Sequence, residues 1–208
     1  MHAAPVLRGG RVARAVWRVA GLFLCACGIV AFLESRLGLP PWDVLHQGIA
    51  NHTPLSFGLA NEAVGVIVLF VAWLLGSRPG PGTVANAVLI GRFIVFVQPL
   101  GFVQHLATWP LLARAALLAA GLVCFGVGTA LYIGAAYGAG PRDSLMLVGS
   151  LRTHVRIGFV RAGIEGTVLV AGFALGGHAG IGTLAFAVLI GPCGDGSFWL
   201  ISRTRLVT

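Results

Sequence analysis

Residues 13–91 of this chain return without a gap as residues 113–191, so whatever the first stretch folds into, the second is bound to fold into as well. Ala13-Arg14-Ala15 comes back as Ala113-Arg114-Ala115, and Ala20-Gly21-Leu22 as Ala120-Gly121-Leu122. Gly28, Pro41, Asp43 and Leu45 come back as Gly128, Pro141, Asp143 and Leu145. The longest match closes the repeat, where Gly80, Gly82, Thr83, Ala85 and the run Ala87 to Gly91 recur as Gly180, Gly182, Thr183, Ala185 and Ala187 to Gly191. About a third of the paired positions are identical, more than chance allows even in an apolar alphabet.

Each copy holds three apolar stretches of membrane length. They predict helices over about 12–33, 57–76 and 83–104 in the first copy, and 110–134, 158–176 and 183–202 in the second. With 57% hydrophobic and 10% charged residues, against about 25% charged in soluble domains, the chain reads as an all-α integral membrane protein: a single polytopic domain over residues 1–208. Three spans per copy is an odd number, so the second copy is expected to lie upside down relative to the first. Inverted repeats of this kind are characteristic of transporters.

The net charge of +8 is carried by arginine alone. The arginines stand singly between apolar runs, which excludes a nucleic-acid surface and fits a topogenic role instead. With a cytoplasmic N-terminus, eleven of them fall inside, among them Arg8, Arg14, Arg142, Arg161 and Arg205, against Arg36 and Arg114 outside. Both termini are therefore expected in the cytoplasm, with the Asp43 loop outside and the Asp143 loop inside. Cys25, Cys27, Cys124 and Cys193 all lie in apolar runs and read as small buried hydrophobes, not as metal ligands or a disulfide framework.

Between its first and second spans each copy carries a proline, an acid two residues on and then an apolar run: Pro41-Trp42-Asp43 and Pro141-Arg142-Asp143. Proline in a first turn with a carboxylate near the positive end of the helix is a helix start. The two aspartates either cap short interfacial helices or line one polar cavity, on half-helices entering from opposite sides. A second shared element, Gly80-Pro81-Gly82-Thr83 and Gly180-Ile181-Gly182-Thr183, opens the third span of each copy, with threonine expected to cap it. Beyond Gly91 and Gly191 the apolar runs meet Arg92 and Pro192, predicting interruptions at matching depth. Of the intramembrane charges Glu62, Arg92, Glu165 and Asp195, Arg92 and Glu165 lie deepest, and each needs a partner or a wet cavity. An Arg92-to-carboxylate pair that is purely structural is one resolution. His46 stands three residues from Asp43, on the same helical face.

These motifs resemble the YczE family of bacterial membrane proteins, through Gly-Leu-x-Pro-Trp-Asp-Val-Leu-His-Gln-Gly at 38–48, Gly82-Thr83-x-x-Asn86-Ala87, Gly140-Pro141-Arg142-Asp143 and Gly180-Ile181-Gly182-Thr183. The resemblance covers nearly the whole chain and implies a multi-pass protein of the bacterial cytoplasmic membrane, with no reaction attached. The resulting expectation is a small secondary transporter or permease whose substrate site gathers Asp43, Asp143, Arg92, Glu165 and His46. Its structural motif would be Pro41, Pro141, Gly82, Thr83, Gly182, Thr183, Gly91 and Gly191. The bilayer surrounds it, the substrate is an unidentified small molecule or ion, and a homodimer is an open assembly. No enzyme constellation, cofactor, metal site or nucleic-acid partner is expected. The rival expectation is a non-transporting scaffold or assembly partner, its many glycines serving helix packing.

Overall fold

The computed structural model describes residue 7, residues 10–100 and residues 108–204. The expectations placed on Arg8, Arg205 and residues 101–104 lie outside those. Eight α-helices follow in order: α1 (Arg11–Ser35), α2 (Pro41–His52), α3 (Phe57–Leu74), α4 (Pro81–Val97) with a 3₁₀ turn (Gln98–Leu100), α5 (Leu111–Gly134), α6 (Pro141–Thr153), α7 (Ile157–Ala174) and α8 (Ile181–Ser202). Six of them, all but α2 and α6, are long and apolar enough to cross a membrane. The protein is thus an all-helical, multi-pass membrane protein. Each long helix lies within a few residues of its predicted range at the start, and α4 alone stops well short.

The short helices begin where proline fixes the first turn: α2 at Pro41 and α6 at Pro141. At 12 and 13 residues they span about 18–20 Å, too short to cross a hydrocarbon core of about 30 Å. They are not surface helices either. Pro41, Trp42, Asp43, Val44, His46 and Gly48 are buried in α2, and Pro141, Ser144, Met146 and Val148 in α6.

The centre of the fold is the crossing of α1 and α5. A Cβ added at Gly21 would lie 2.7 Å from the Gly128 carbonyl oxygen, and one at Gly28 would lie 2.7 Å from that of Gly121. The lower number on one helix meets the higher on the other, so α1 and α5 run antiparallel, backbone against backbone. Two arginines fasten the ends of this seam. Arg18, buried on α1, donates to the carbonyls of Tyr132 (3.3 Å), Gly138 (3.2 Å) and Gly82, closing the end of α5 onto the start of α4. Arg114 on α5 donates to Ser35 O (2.8 Å) and Arg36 O (3.0 Å) past the end of α1. The carbonyls of Tyr132 and Ser35 lie in the last turns of their helices, where they lack intrahelical partners, so charged donors there replace bonds that lipid cannot supply.

The connections after α1 and α5 clasp the starts of α8 and α4. Gly182 N–H donates to Leu37 O (2.7 Å) and Gly82 N–H to Tyr137 O (3.1 Å). The chain reverses there through Gly38 (φ 119°) and Gly138 (φ 111°), a backbone conformation that residues with a Cβ rarely adopt. Thr83 and Thr183 are not the cap residues themselves. Each sits at the third helical position and accepts the N–H of Gly80 or Gly180 (3.1 Å in both) through its hydroxyl. Thr83→Val removes that acceptor in a buried site; the expected cost is about 1 kcal/mol, read as a lower melting midpoint in detergent that Thr83→Ser restores.

The expected interruptions at Gly91 and Gly191 do not occur. α4 runs on to Val97, and α8 carries Pro192 inside it and continues to Ser202. Proline removes one amide from the ladder, and a membrane helix tolerates that loss through local adjustment of the freed carbonyl. A larger difference separates the two copies. α3 packs along α4 with Gly58 against Gly91: a Cβ at Gly91 would lie 2.5 Å from Gly58 O and 2.7 Å from Glu62 Cβ. Their counterparts α7 and α8 barely touch. A Cβ at Gly158 or at Gly191 meets nothing within 4 Å. The same glycines that zip one seam stand apart in the other.

Candidate functional site

A cavity of about 330 Å³ lies at the middle of the bundle, walled by all eight helices. Its lining is paired at the spacing of the repeat. Cys25 and Phe125, Pro40 and Gly140, Trp42 and Arg142, Asn61 and Arg161, Gly65 and Glu165, Asn86 and Phe186, and Ile90 and Ile190 all face it. Corresponding positions therefore meet across one space, and the N-terminal ends of α2 and α6 both point into it.

The chemistry of the two walls is unlike. Every charged group on the lining, Arg142, Asp143, Arg161, Glu165 and Asp195, comes from the second half of the chain, while the first contributes Cys25, Trp42, Asn61 and Asn86. Arg142 lies over the Trp42 ring, Cζ 4.9 Å from its centroid, so the first residues after the two prolines touch across the copies. Stacking on an indole holds a guanidinium without neutralising it. Asp143 Oδ2 accepts from Gly140 N–H (3.3 Å) and from the Tyr132 hydroxyl (3.4 Å), which ties it to its own helix start and to α5. Arg161 and Glu165 pair one turn apart on α7, Nε to Oε1 2.9 Å.

Of the expected site residues, the structure brings Asp143 and Glu165 onto the lining, with Gly191. Asp43 and His46 lie just behind the wall, both with fully buried side chains, Asp43 Oδ1 2.9 Å from His46 Nδ1. Asn61 stands between them and the cavity, its amide nitrogen 3.1 Å from His46 Nδ1 and 3.5 Å from Asp43 Oδ1. Phe57 covers the imidazole edge to face at 6.2 Å. Arg92 is elsewhere. It pairs with Glu62 (Nε to Oε2 2.9 Å) on the α3–α4 face, with its side chain 60% exposed. That is the structural carboxylate pair weighed above. Pro41, Gly82, Thr83, Gly182, Thr183 and Gly91 serve helix starts and seams, while Pro141 also touches the lining.

Arg142, Trp42, Asn61, Arg161, Asn86 and Tyr132 were not singled out by sequence reasoning. The signal that finds them is substitution between copies: tryptophan against arginine at 42 and 142, asparagine against arginine at 61 and 161. Among the described residues no group of three or more histidines, cysteines, aspartates or glutamates is close enough to hold a metal ion.

The model of a family of unknown function, DUF6198, matches residues 12–195. An "Uncharacterized membrane protein YczE" of Bacillus subtilis (strain 168) is 34% identical over 182 residues, covering 86% of this chain and 83% of that protein. An "Uncharacterized protein" of Haemophilus influenzae is 39% identical over 159 residues, covering 76% and 70%. A second Bacillus subtilis protein, "Uncharacterized protein YyaS", is 29% identical over 178 residues, covering 82% and 85%. No solved structure matches the chain.

Proposed function

The chain belongs to the DUF6198 family of unknown function, and from that premise we propose that it is a small secondary transporter of the cytoplasmic membrane, two inverted three-helix repeats enclosing one substrate cavity. The observation that carries this reading is the unequal state of two equivalent seams around that cavity. α3 and α4 are shut on Gly58 and Gly91, while α7 and α8 are open at Gly158 and Gly191. Two copies built on one pattern can each adopt either state. Exchanging the states would close the cavity on one side of the membrane and open it on the other, which is alternating access. The antiparallel α1–α5 crossing and the pairing of lining residues one hundred apart support the inverted arrangement. With both termini in the cytoplasm, Gly58 lies near the outer end of α3 and Gly158 near the inner end of α7, so this conformation faces inward.

A test needs no substrate. In a background without the four cysteines, Ala162→Cys with Gly191→Cys is expected to form a disulfide in native membranes under mild oxidation, as the α7–α8 gap closes. The counterpart pair, Glu62→Cys with Gly91→Cys, reports the seam that is already shut. A 62/91 pair that links while the 162/191 pair never does would overturn alternation. The open glycines of α7 and α8 also favour a second reading, in which a partner's membrane helix fills the gap. That scaffold reading predicts a 162/191 disulfide that forms only once the partner is removed.

A further inference from the structure

We propose that Asp43 and His46 form a proton-binding site, separated from the cavity by Asn61, and that its protonation state sets which of the two seams is shut. This rests on the transporter reading and adds its coupling ion. Both side chains have zero exposure. Each also keeps one polar atom without a partner, Oδ2 on Asp43 and Nε2 on His46. A structural pair would be expected to satisfy those atoms, since leaving them bare in a dry site has a cost that bonding removes.

Among the described residues no other side chain forms an ion pair with Asp43 or His46. On α3, Glu62 is bound to Arg92; on α7, Arg161 and Glu165 are bound to each other. On α6, Arg142 lies over the Trp42 ring, which belongs to the residue beside Asp43. Gly172 on α7 and Leu175 just past it pack on Leu45 and Gly48, and in the connection that follows His178 is held to α2 by its backbone N–H, which donates to Gln47 Oε1 (2.6 Å). The pair is therefore uncharged overall when it holds one proton more than the aspartate with a neutral imidazole. Losing that proton leaves a single negative charge, buried and without an ion-pair partner, facing the Arg142 guanidinium stacked on the Trp42 ring. The proton comes from water in the cavity and returns to it, taken up at the free Oδ2 of Asp43 once the Asn61 amide swings aside, and no other bond changes.

A proton fits better than a metal cation. Hard cations collect about six oxygen ligands, and this cluster offers a carboxylate, one amide and a ring nitrogen. The second copy has no equivalent, since methionine stands at 146 and arginine at 161, where the first copy has His46 and Asn61. One such site per chain implies one proton bound per cycle. The route from site to seam is α2 itself. Through Asn61 and Phe57 it touches α3, half of the shut seam, and its other face is clamped on α7, half of the open one. A change of charge at Asp43 alters the first contact and moves a helix fixed to the second.

The experiment is pH-difference infrared spectroscopy of the full chain in lipid nanodiscs, with the 162/191 disulfide rate followed over the same pH series. The expected result is a reversible carboxylic-acid C=O band that disappears in Asp43→Asn. His46→Gln and Asn61→Ala should move its midpoint by about one pH unit, roughly tenfold in proton affinity. The disulfide rate should change severalfold with pH in the parent and not in Asp43→Asn. A titrating carboxyl spectrum unaltered by Asp43→Asn would overturn the site. So would a midpoint indifferent to both His46→Gln and Asn61→Ala, which also decides the matter if Asp43→Asn does not fold. Loss of the band on exchanging choline for sodium would reassign the site to a metal cation. A band at Asp43 with a pH-independent disulfide rate would remove the coupling. If no disulfide forms at any pH, the transporter reading fails while the infrared titration still decides whether the site binds a proton.

Discussion

Gly128→Leu is expected to leave almost no folded protein. A Cβ at that position already meets the Gly21 carbonyl oxygen at 2.6 Å, Cys25 Sγ at 2.8 Å and Cys25 N at 2.9 Å. Two of the three obstacles are backbone atoms, which cannot yield by changing rotamer, so α1 and α5 have to part. Overpacking that side chains can absorb costs about 1–3 kcal/mol, and an obstacle of backbone puts this change at or above the top of that range. The loss does not stop at the crossing. Arg18 reaches from α1 to Tyr132 O and Gly138 O, and a displaced helix strands its guanidinium away from them. Size-exclusion profiles of the detergent-extracted variant should show the monodisperse peak reduced about tenfold or more. Gly163→Leu on α7 is the matched control, because a Cβ there meets nothing within 4 Å. Its peak should equal that of the parent, and a normal peak for Gly128→Leu would mean that the α1–α5 contact is not what holds the fold.

Gly158→Leu should behave in the opposite sense. In this conformation the added side chain enters open space, and replacing glycine inside a helix removes an unfavourable entropy of about 1 kcal/mol. The variant is therefore expected to fold at least as well as the parent. On the proposed alternation it blocks the closing of α7 onto α8, where residue 158 would have to approach residue 191 as Gly58 approaches Gly91. The expected result is a fall of at least tenfold in the 162/191 disulfide rate, with thermal stability unchanged or raised. Undiminished cross-linking in Gly158→Leu would show that α7 and α8 do not close by the α3–α4 geometry. Gly58→Leu supplies the reciprocal case. It wedges the shut seam against Gly91 O and Val95 Cγ2, so the parent conformation should lose population to its counterpart and the 162/191 rate should rise.

Much of this architecture could be read from the residues. The six long helices are written in apolar runs, and the starts of the two short ones in Pro41 and Pro141. The site was legible only in part. Asp143 and Glu165 stand on the cavity, and the helical spacing of Asp43 and His46 correctly joins them, but periodicity says nothing about the wall that Asn61 places in front of them. Arg92 illustrates the limit: burial depth along a sequence does not distinguish a helix face turned to the interior from one turned to lipid, and Glu62 satisfied it on the outside. The break expected at Pro192 failed for a related reason, because a proline signals a lost amide, and whether the helix stops there depends on what surrounds the freed carbonyl. The unequal seams were beyond sequence altogether. Gly58, Gly91, Gly158 and Gly191 are the same residue type at the same repeat positions, and nothing in their identity says which pair is in contact.

The glycine seam between α1 and α5 matches a surface to its own twin turned end for end. A chain of little more than the first hundred residues would carry one complete half of that contact, and could join a second copy of itself inserted the other way up. In one chain the two halves of the contact are held at a fixed ratio. Held in one chain, either half is free to carry side chains that the other lacks, and the cavity shows it, with charges gathered on one wall and neutral groups on the other.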